Sequence, residues 1–204
     1  DAAFPFMDLA RGLERLAWRF LDRYLERTGD YEGLAVLRFY AVYRAVVRAK
    51  IAAVRADQLA PDDPRRLDAL AELDEHLELA RRLSSRPAPG LVVMHGVCGS
   101  GKSTAAQALL ESLGAVRLRS DAERKRLHGL DPAARTASAV EAGIYTAEAG
   151  ERTYRRLAGL ARAALAAGFP VVVDAAFLDP PRRDGLREVA RACAAAFAIV
   201  SCSA

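Results

Sequence analysis

Gly96-Val97-Cys98-Gly99-Ser100-Gly101-Lys102-Ser103-Thr104 constrains this chain more than any other stretch in it. It reads G-x-x-x-x-G-K-S, follows the apolar run Leu91-Val92-Val93-Met94-His95, and leads into a helix-compatible stretch ending at residue 113. Strand, glycine-rich loop and helix in that order are the context in which such a motif binds phosphate. The chemistry dictates the residue types. Glycines let backbone N–H groups close around phosphate oxygens, and the new helix turns its positive end toward them. Lys102 is placed to reach β- and γ-phosphates, the Ser103 hydroxyl to ligate Mg²⁺, and Thr104 to contact an α-phosphate. All nine residues are expected to bind nucleotide. A mere turn between strand and helix explains neither the Lys-Ser pair nor the spacing of Gly96 and Gly101. Cys98 lies near a helix N-terminus, where a thiol becomes more acidic, but reads as a small side chain at a variable position.

The surrounding pattern predicts an α/β fold, a doubly wound and mostly parallel sheet of about four strands behind a small α-helical subdomain. Short apolar runs at 91–95, 115–119, 169–173 and 197–201 read as buried strands. Helical stretches at 102–113, 121–128, 137–167 and 181–195 alternate with them, which argues for helices on both faces of the sheet. Before residue 87 the pattern is purely helical. One helix is expected over 7–28 through Leu9, Leu13, Leu16, Phe20 and Tyr24, with Leu21 and Leu25 beside them, ended by Gly29 and followed by Asp30 as a cap. A second spans 34–57 through Leu37, Tyr40, Tyr43, Val47, Ile51 and Val54, its aromatic residues read as core. Asp63 and Pro64 open a third, as N-cap and first helical residue. Ser84-Ser85-Arg86-Pro87-Ala88-Pro89-Gly90 reads as a linker, which divides the chain into 1–86 and 87–204.

Two carboxylates stand where strands end. Asp121 follows the run Val116-Arg117-Leu118-Arg119, where open α/β sheets bind their ligands. There it can accept the proton of an attacking hydroxyl, and Arg124, one turn later, can hold an anionic acceptor. A plainer role competes: Ser120 caps a helix, Glu123 closes a capping box, and Asp121 favours the helix dipole. Asp174 ends Val171-Val172-Val173, a hydrophobic run followed by Asp of the kind that supplies a Mg²⁺-associated carboxylate beside a phosphate loop. Arg182 and Arg183 are expected on solvated helix surface, and Arg152, Arg155 and Arg156 on one helix face.

Charge and cysteine usage narrow the partners. The net charge of +4 falls wholly after residue 89, which suits an anionic ligand better than a long duplex. Cys98, Cys193 and Cys202 have no metal-ligand spacing, which fits a reducing cytoplasmic setting. His76, His95 and His128 stand apart, so neither zinc nor histidine catalysis is expected. No apolar run reaches the ~18 residues of a membrane span, so no membrane partner is expected. The chain opens Asp1-Ala2-Ala3 with Met7 as its first methionine, and reads as a fragment.

The loop motif, with Arg119-Ser120-Asp121-Ala122-Glu123-Arg124 and Val171-Val172-Val173-Asp174-Ala175-Ala176-Phe177, resembles the small P-loop kinases grouped as AAA-domain ATP-binding proteins. These are related to zeta toxins, chloramphenicol phosphotransferase, gluconate kinase and polynucleotide kinase. The resemblance implies a P-loop NTPase fold, ATP and Mg²⁺ as cofactors, and phosphoryl transfer to a hydroxyl of a small molecule. Catalytic roles would fall to Lys102, Asp121 and Arg124, and Mg²⁺ to Ser103 and Asp174. A polynucleotide 5′-kinase and a non-catalytic ATP-binding regulatory module or ATPase are the alternatives. Asp1-Ala2-Ala3-Phe4, Met7-Asp8-Leu9, Ala17-Trp18-Arg19-Phe20 and Tyr40-Ala41-Val42-Tyr43-Arg44 are similar to the last helices of an aminoglycoside-phosphotransferase-like domain. A lid bearing arginines and a fifth strand would follow in a complete member.

Overall fold

In a computed structural model the chain is described over residues 2–134 and 143–203. Four helices come first: α1 (Ala3–Ala10), α2 (Glu14–Thr28), α3 (Leu34–Gln58) and α4 (Pro64–Ser84). Strands and helices then alternate as β1 (Gly90–His95), α5 (Lys102–Leu113), β2 (Val116–Arg119), α6 (Ser120–Leu127), α7 (Ala147–Ala166), β3 (Val171–Asp174), α8 (Pro180–Ala192) and β4 (Ala196–Ser201). A short 3-10 turn, Gly143–Tyr145, precedes α7. The helical reading at 137–142 lies outside the described residues.

The sheet is parallel throughout in the order β2-β3-β1-β4. Alternate strand residues serve opposite faces, as the pleat requires. Leu91, Val93, Leu118, Val171 and Val173 join the cluster that holds Leu157 and Ala161 of α7 and Leu186 and Val189 of α8. Met94 and Val172 pack instead with Ala106 and Leu110 of α5. Helices therefore cover both faces, and the doubly wound α/β expectation holds.

The helical front departs from its sequence reading in two ways. Gly12 interrupts the helix expected over 7–28: Leu13 leaves helical geometry at φ −130° and ψ 51°, and the chain restarts as α2. Glycine is the poorest ordinary residue for a helix interior, and the stripe across it was not one continuous face. The buried side chains are Phe6, Met7, Ala17, Leu21 and Leu25, whereas Leu13 and Leu16 are 56% and 43% exposed. In α3 Leu37 is buried and Val47 half-buried as expected, but the rest of the expected core face points outward. Phe39, Tyr40, Tyr43, Ile51 and Val54 are exposed, while Ala41, Ala45, Ala49, Ala52 and Ala56 are buried. Apolar residues populate both sides of this helix, so periodicity alone could not choose the inner one.

Other boundaries follow local chemistry. Gly29 ends α2 in the left-handed conformation, φ 73°, donating to the Leu25 carbonyl. Asp63 caps α4 through the Arg65 N–H, with Pro64 at the first helical position. Asp30 does not cap α3, whose N-cap is Gly33; its carboxylate accepts from the Gly33 N–H one turn earlier.

The front packs directly on the sheet. Trp18 lies edge-on to both Phe6 and Phe169, with centroids 5.2 and 6.3 Å away. It also sits so close to Gly114 that a Cβ there would come within 2.8 Å of the indole. Arg38 of α3 donates to the carbonyls of Leu83, Ser85 and Gly168, tying down the linker. Helix α2 lies against the β2 edge, where Arg117 makes a two-pronged ion pair with Asp22 at 2.7 and 3.1 Å. Both side chains are almost fully buried, at 4% and 3% exposure. A bare edge strand invites pairing with another chain, and α2 covers this one.

Candidate functional site

Strand β1 delivers the chain into the phosphate loop at the carboxyl edge of the sheet. Gly96, φ 139°, is required sterically: a Cβ would meet the Cys202 carbonyl oxygen at 2.3 Å. Its N–H donates to the Ala176 carbonyl, which joins the start of the loop to the segment after β3. Gly99 and Gly101 also have positive φ, at 81° and 82°, in a part of the loop where an added Cβ meets nothing within 4 Å. These two are conformational requirements that leave the cradle open. The Val97 carbonyl gathers the loop inward, accepting from Ser100 N–H, Ser100 Oγ and Lys102 Nζ.

The N-terminus of α5 has Gly101 as its N-cap and no side-chain cap. Its first-turn N–H groups are directed at the cradle, and Val97, Cys98, Gly99, Ser103 and Thr104 are exposed around it. An uncapped helix start behind an open glycine loop fits a polyphosphate. Lys102 spans the loop, its ammonium donating to the Val97 carbonyl. Among the described residues no group of three or more His, Cys, Asp or Glu is gathered as a metal cage. Mg²⁺ held with nucleotide needs only one or two protein oxygens, the rest coming from phosphate and water. The Ser103 hydroxyl, in the first turn of α5, and the Asp174 carboxylate, at the end of β3, have the chemistry for that.

Both strand-end carboxylates lie at this edge. Asp174 is 7% exposed and pairs in register with Arg119, whose Nε lies 3.7 Å from its carboxylate. Arg119 is also ion-paired to Glu26 of α2. Asp121 follows Arg119 by two residues, in the first turn of α6. Its carboxylate accepts from the Tyr145 hydroxyl at 3.1 Å and forms an ion pair with Lys125 at 2.6 Å. The capping box does not form. Helix α6 begins at Ser120 itself, without a side-chain cap. Glu123 is completely buried and pairs with Arg126 and Arg156. Asp121 keeps the first-turn position that favours the helix dipole, and its side chain is 42% exposed beside that of Lys125, which is 9% exposed.

Arg124 lies over the ring of Tyr145, its guanidinium carbon 4.9 Å from the centroid. Its Nε is buried without a hydrogen-bond partner. Arg182 and Arg183 are not solvated surface. Arg182 lies 4.3 Å over the ring of Tyr154 and pairs with Glu151. Arg183 donates to the carbonyls of Phe177 and Leu178, bracing the segment after β3. Phe177 has a left-handed φ of 47° there, an uncommon conformation for a bulky residue, and is fully buried against Tyr154. Arg156 of the expected surface trio is held by Glu123.

The structure therefore brings the phosphate loop, Asp174, Asp121 and Arg124 to one edge of one sheet. Sequence reasoning missed Arg119, Lys125 and Tyr145. Lys125 stands four residues from Asp121, a helical spacing that could have suggested the pair. Tyr145 is 24 residues away, and no local signal announces it. Among the described residues no helix is long and apolar enough to cross a membrane.

Comparison with known proteins places this geometry. An AAA domain family profile matches residues 91–204. Two curated relatives are the uncharacterized protein Rv2004c of Mycobacterium tuberculosis (strain ATCC 25618 / H37Rv) and the uncharacterized protein Mb2027c of Mycobacterium bovis (strain ATCC BAA-935 / AF2122/97). Each is 33% identical over 205 aligned residues, which take in 100% of this chain and 40% of the relative. The chain thus spans less than half the length of either. More than half of its own residues fall inside the family match, and they include every part of the phosphate-loop edge described above: the chain belongs to the AAA domain family, within the P-loop kinase-like group.

Proposed function

We propose that this chain is the nucleotide-binding part of an ATP-dependent phosphotransferase acting on a hydroxyl of a small molecule. The observation that carries the reading is the position of Asp121. It is a half-exposed carboxylate in the first turn of α6, on the same sheet edge as the phosphate loop and beside an arginine whose Nε has no hydrogen-bond partner. In this reading residues 87–204 form the kinase unit and 1–86 a helical segment buttressing its β2 edge.

The phosphate loop and Lys102 hold the β- and γ-phosphates of ATP. Mg²⁺, held by the Ser103 hydroxyl and by Asp174, would neutralise charge on the same phosphates. An acceptor hydroxyl donates its proton to Asp121 as its oxygen bonds to the γ-phosphorus, while the bond from that phosphorus to the β-phosphate oxygen breaks and ADP leaves. Arg124 offers N–H groups to an anionic part of the acceptor. Such transfer rests chiefly on positioning and fixed charge, which a rigid sheet edge supplies.

The test is transfer from γ-labelled ATP with Mg²⁺, with and without a pool of cellular small molecules. Label on a small molecule, lost in Asp121→Asn, supports the reading and isolates the acceptor. Label on single-stranded oligonucleotides instead would make the enzyme a polynucleotide kinase. Label only on inorganic phosphate, or retained on ATP, would make the site an ATPase or a regulatory module. Lys102→Ala is expected to lose triphosphate binding with the fold intact, and unchanged affinity would overturn the phosphate-loop assignment.

A further inference from the structure

Two of the contacts of Tyr145 join parts of the acceptor side. Its hydroxyl donates to Asp121 Oδ1 at 3.1 Å, and its ring carries the Arg124 guanidinium 4.9 Å above its centre. Tyr145 comes from the turn before α7, and the other two side chains from α6. A carboxylate oxygen has two lone pairs. Tyr145 takes one on Oδ1, and Lys125 Nζ, 2.6 Å from Oδ2, takes one on the other oxygen. Each oxygen thus keeps a lone pair for an incoming hydroxyl, while rotation of the carboxylate about its own axis is blocked from both sides. The Tyr145 ring holds Arg124 without occupying its donors, because a cation over an aromatic face is held by the ring quadrupole and not by its N–H groups.

We propose that Tyr145 is a positioning residue for phosphoryl transfer, orienting the base Asp121 through its hydroxyl and the acceptor-binding Arg124 through its ring. The inference rests on the kinase reading above. It assigns the two halves of one side chain to two kinetic quantities, the hydroxyl to turnover and the ring to acceptor affinity. A tyrosine serving only to anchor α7 on α6 would not divide in this way.

The experiment measures initial rates of label transfer from γ-labelled ATP into the small-molecule pool, at saturating ATP and serial pool dilutions. ATP affinity serves as the folding control. Tyr145→Phe keeps the ring, and its maximal rate should fall about ten-fold, the equivalent of one lost hydrogen bond in the transition state. The half-saturating dilution should not move. Tyr145→Leu removes the ring too, and should in addition require about ten-fold more pool for half-saturation, as expected when an anchoring contact of similar size is lost. The double variant Asp121→Asn/Tyr145→Phe should be no slower than the residual rate of Asp121→Asn alone, because the proposal has the hydroxyl serve transfer through that carboxylate. Wild-type rates in Tyr145→Phe, identical behaviour of Phe and Leu, or a double variant slower than Asp121→Asn would each overturn the proposal and leave the kinase reading standing. Full transfer by Asp121→Asn, or no label in the pool with the wild-type chain, would overturn that reading and this proposal with it.

Discussion

Strand β1 and helix α3 are both rich in apolar side chains and dispose of them in opposite ways. In β1 the large residues go inside: Leu91, Val93 and Met94 have no exposed surface. In α3 the small residues go inside and the large ones stay out. Ala41 and Ala45 are fully buried, while Phe39 is 66% and Tyr43 53% exposed. A central strand of a parallel sheet is covered on both faces, so every apolar side chain it carries finds a partner. A helix at the periphery has one covered face, and close approach to its neighbours favours alanine there. What holds the front to the sheet is one shared core, in which Leu21, Leu25, Leu34 and Leu37 join Leu91, Val93 and Val116. Two specific contacts reinforce it: Trp18 against Phe169, and the Asp22–Arg117 pair.

That pair is the place to break the comparison hardest. Asp22→Ala leaves Arg117 buried without its counter-charge and should destabilise by about 3–5 kcal/mol. Trp18 is the chain's one tryptophan and lies at the junction of front and sheet, so fluorescence-monitored denaturation reads the loss directly. Replacing both partners, as in Asp22→Leu/Arg117→Met, should recover most of it, since apolar residues of similar size often substitute well for a buried pair. A double variant as unstable as the single would show that the charges themselves secure the junction.

Next in size is the alanine face. Ala45→Leu adds three carbons to a fully buried position, and overpacking of that kind costs about 1–3 kcal/mol. A neutral result would mean that α3 packs loosely enough to absorb bulk, and would remove the reason for alanine at its inner positions.

How much could be read beforehand follows the same division. The four strands, their helices and the loop were legible because each has its own local signal: an apolar run, a G-x-x-x-x-G-K-S, an Asp after a strand. The burial expected at 197–201 was not, because β4 is an edge strand with most of its residues exposed. The inner face of α3 was not, because Tyr40 and Ala41 lie side by side and both are acceptable core residues. Nor was the surrounding of Asp121. Ser120 and Glu123 have the spacing of a capping box, but burial of Glu123 between Arg126 and Arg156 is a tertiary outcome that overrides it. Tyr145 reaches Asp121 only because α6 and α7 pack together, and no spacing rule encodes that contact.

A pH-dependent effect of smaller size sharpens the picture of the front. His76 of α4 is 3% exposed, and burial, helped by the nearby Arg11 charge, pushes its pKa below the usual histidine value. As pH falls through about 6.5, the unfolded chain takes up a proton at this position that the folded chain refuses. Folded-state stability should therefore drop, by at most about 1.4 kcal/mol per pH unit from this group. Comparing wild type with His76→Gln by denaturant titration at pH 7.5 and pH 5.5 isolates the effect: any advantage of the wild type should shrink at the lower pH. A constant difference would mean that His76 titrates alike in both states, which its burial does not allow.

The smallest expected effect is also the sharpest statement about α3. Phe39→Ser and Tyr43→Ser remove large apolar side chains, and by composition alone they look as damaging as cutting Leu91 back. Their exposure predicts the reverse. Phe39 touches Tyr40 edge-on and stacks with Tyr43, contacts confined to the outer face of one helix. Substitutions at such surface positions usually stay within about 0.5 kcal/mol. Leu91→Ala, in the center of the sheet core, should by contrast cost about 2–5 kcal/mol through lost burial and the cavity left behind. Unfolding midpoints of the three variants, followed through Trp18, decide the matter. If Phe39→Ser is as costly as Leu91→Ala, the outer stripe of α3 is not a solvent face in the folded chain. The rule drawn from the pair of elements, large side chains inward in the strand and outward in the helix, would then fail on its helical side.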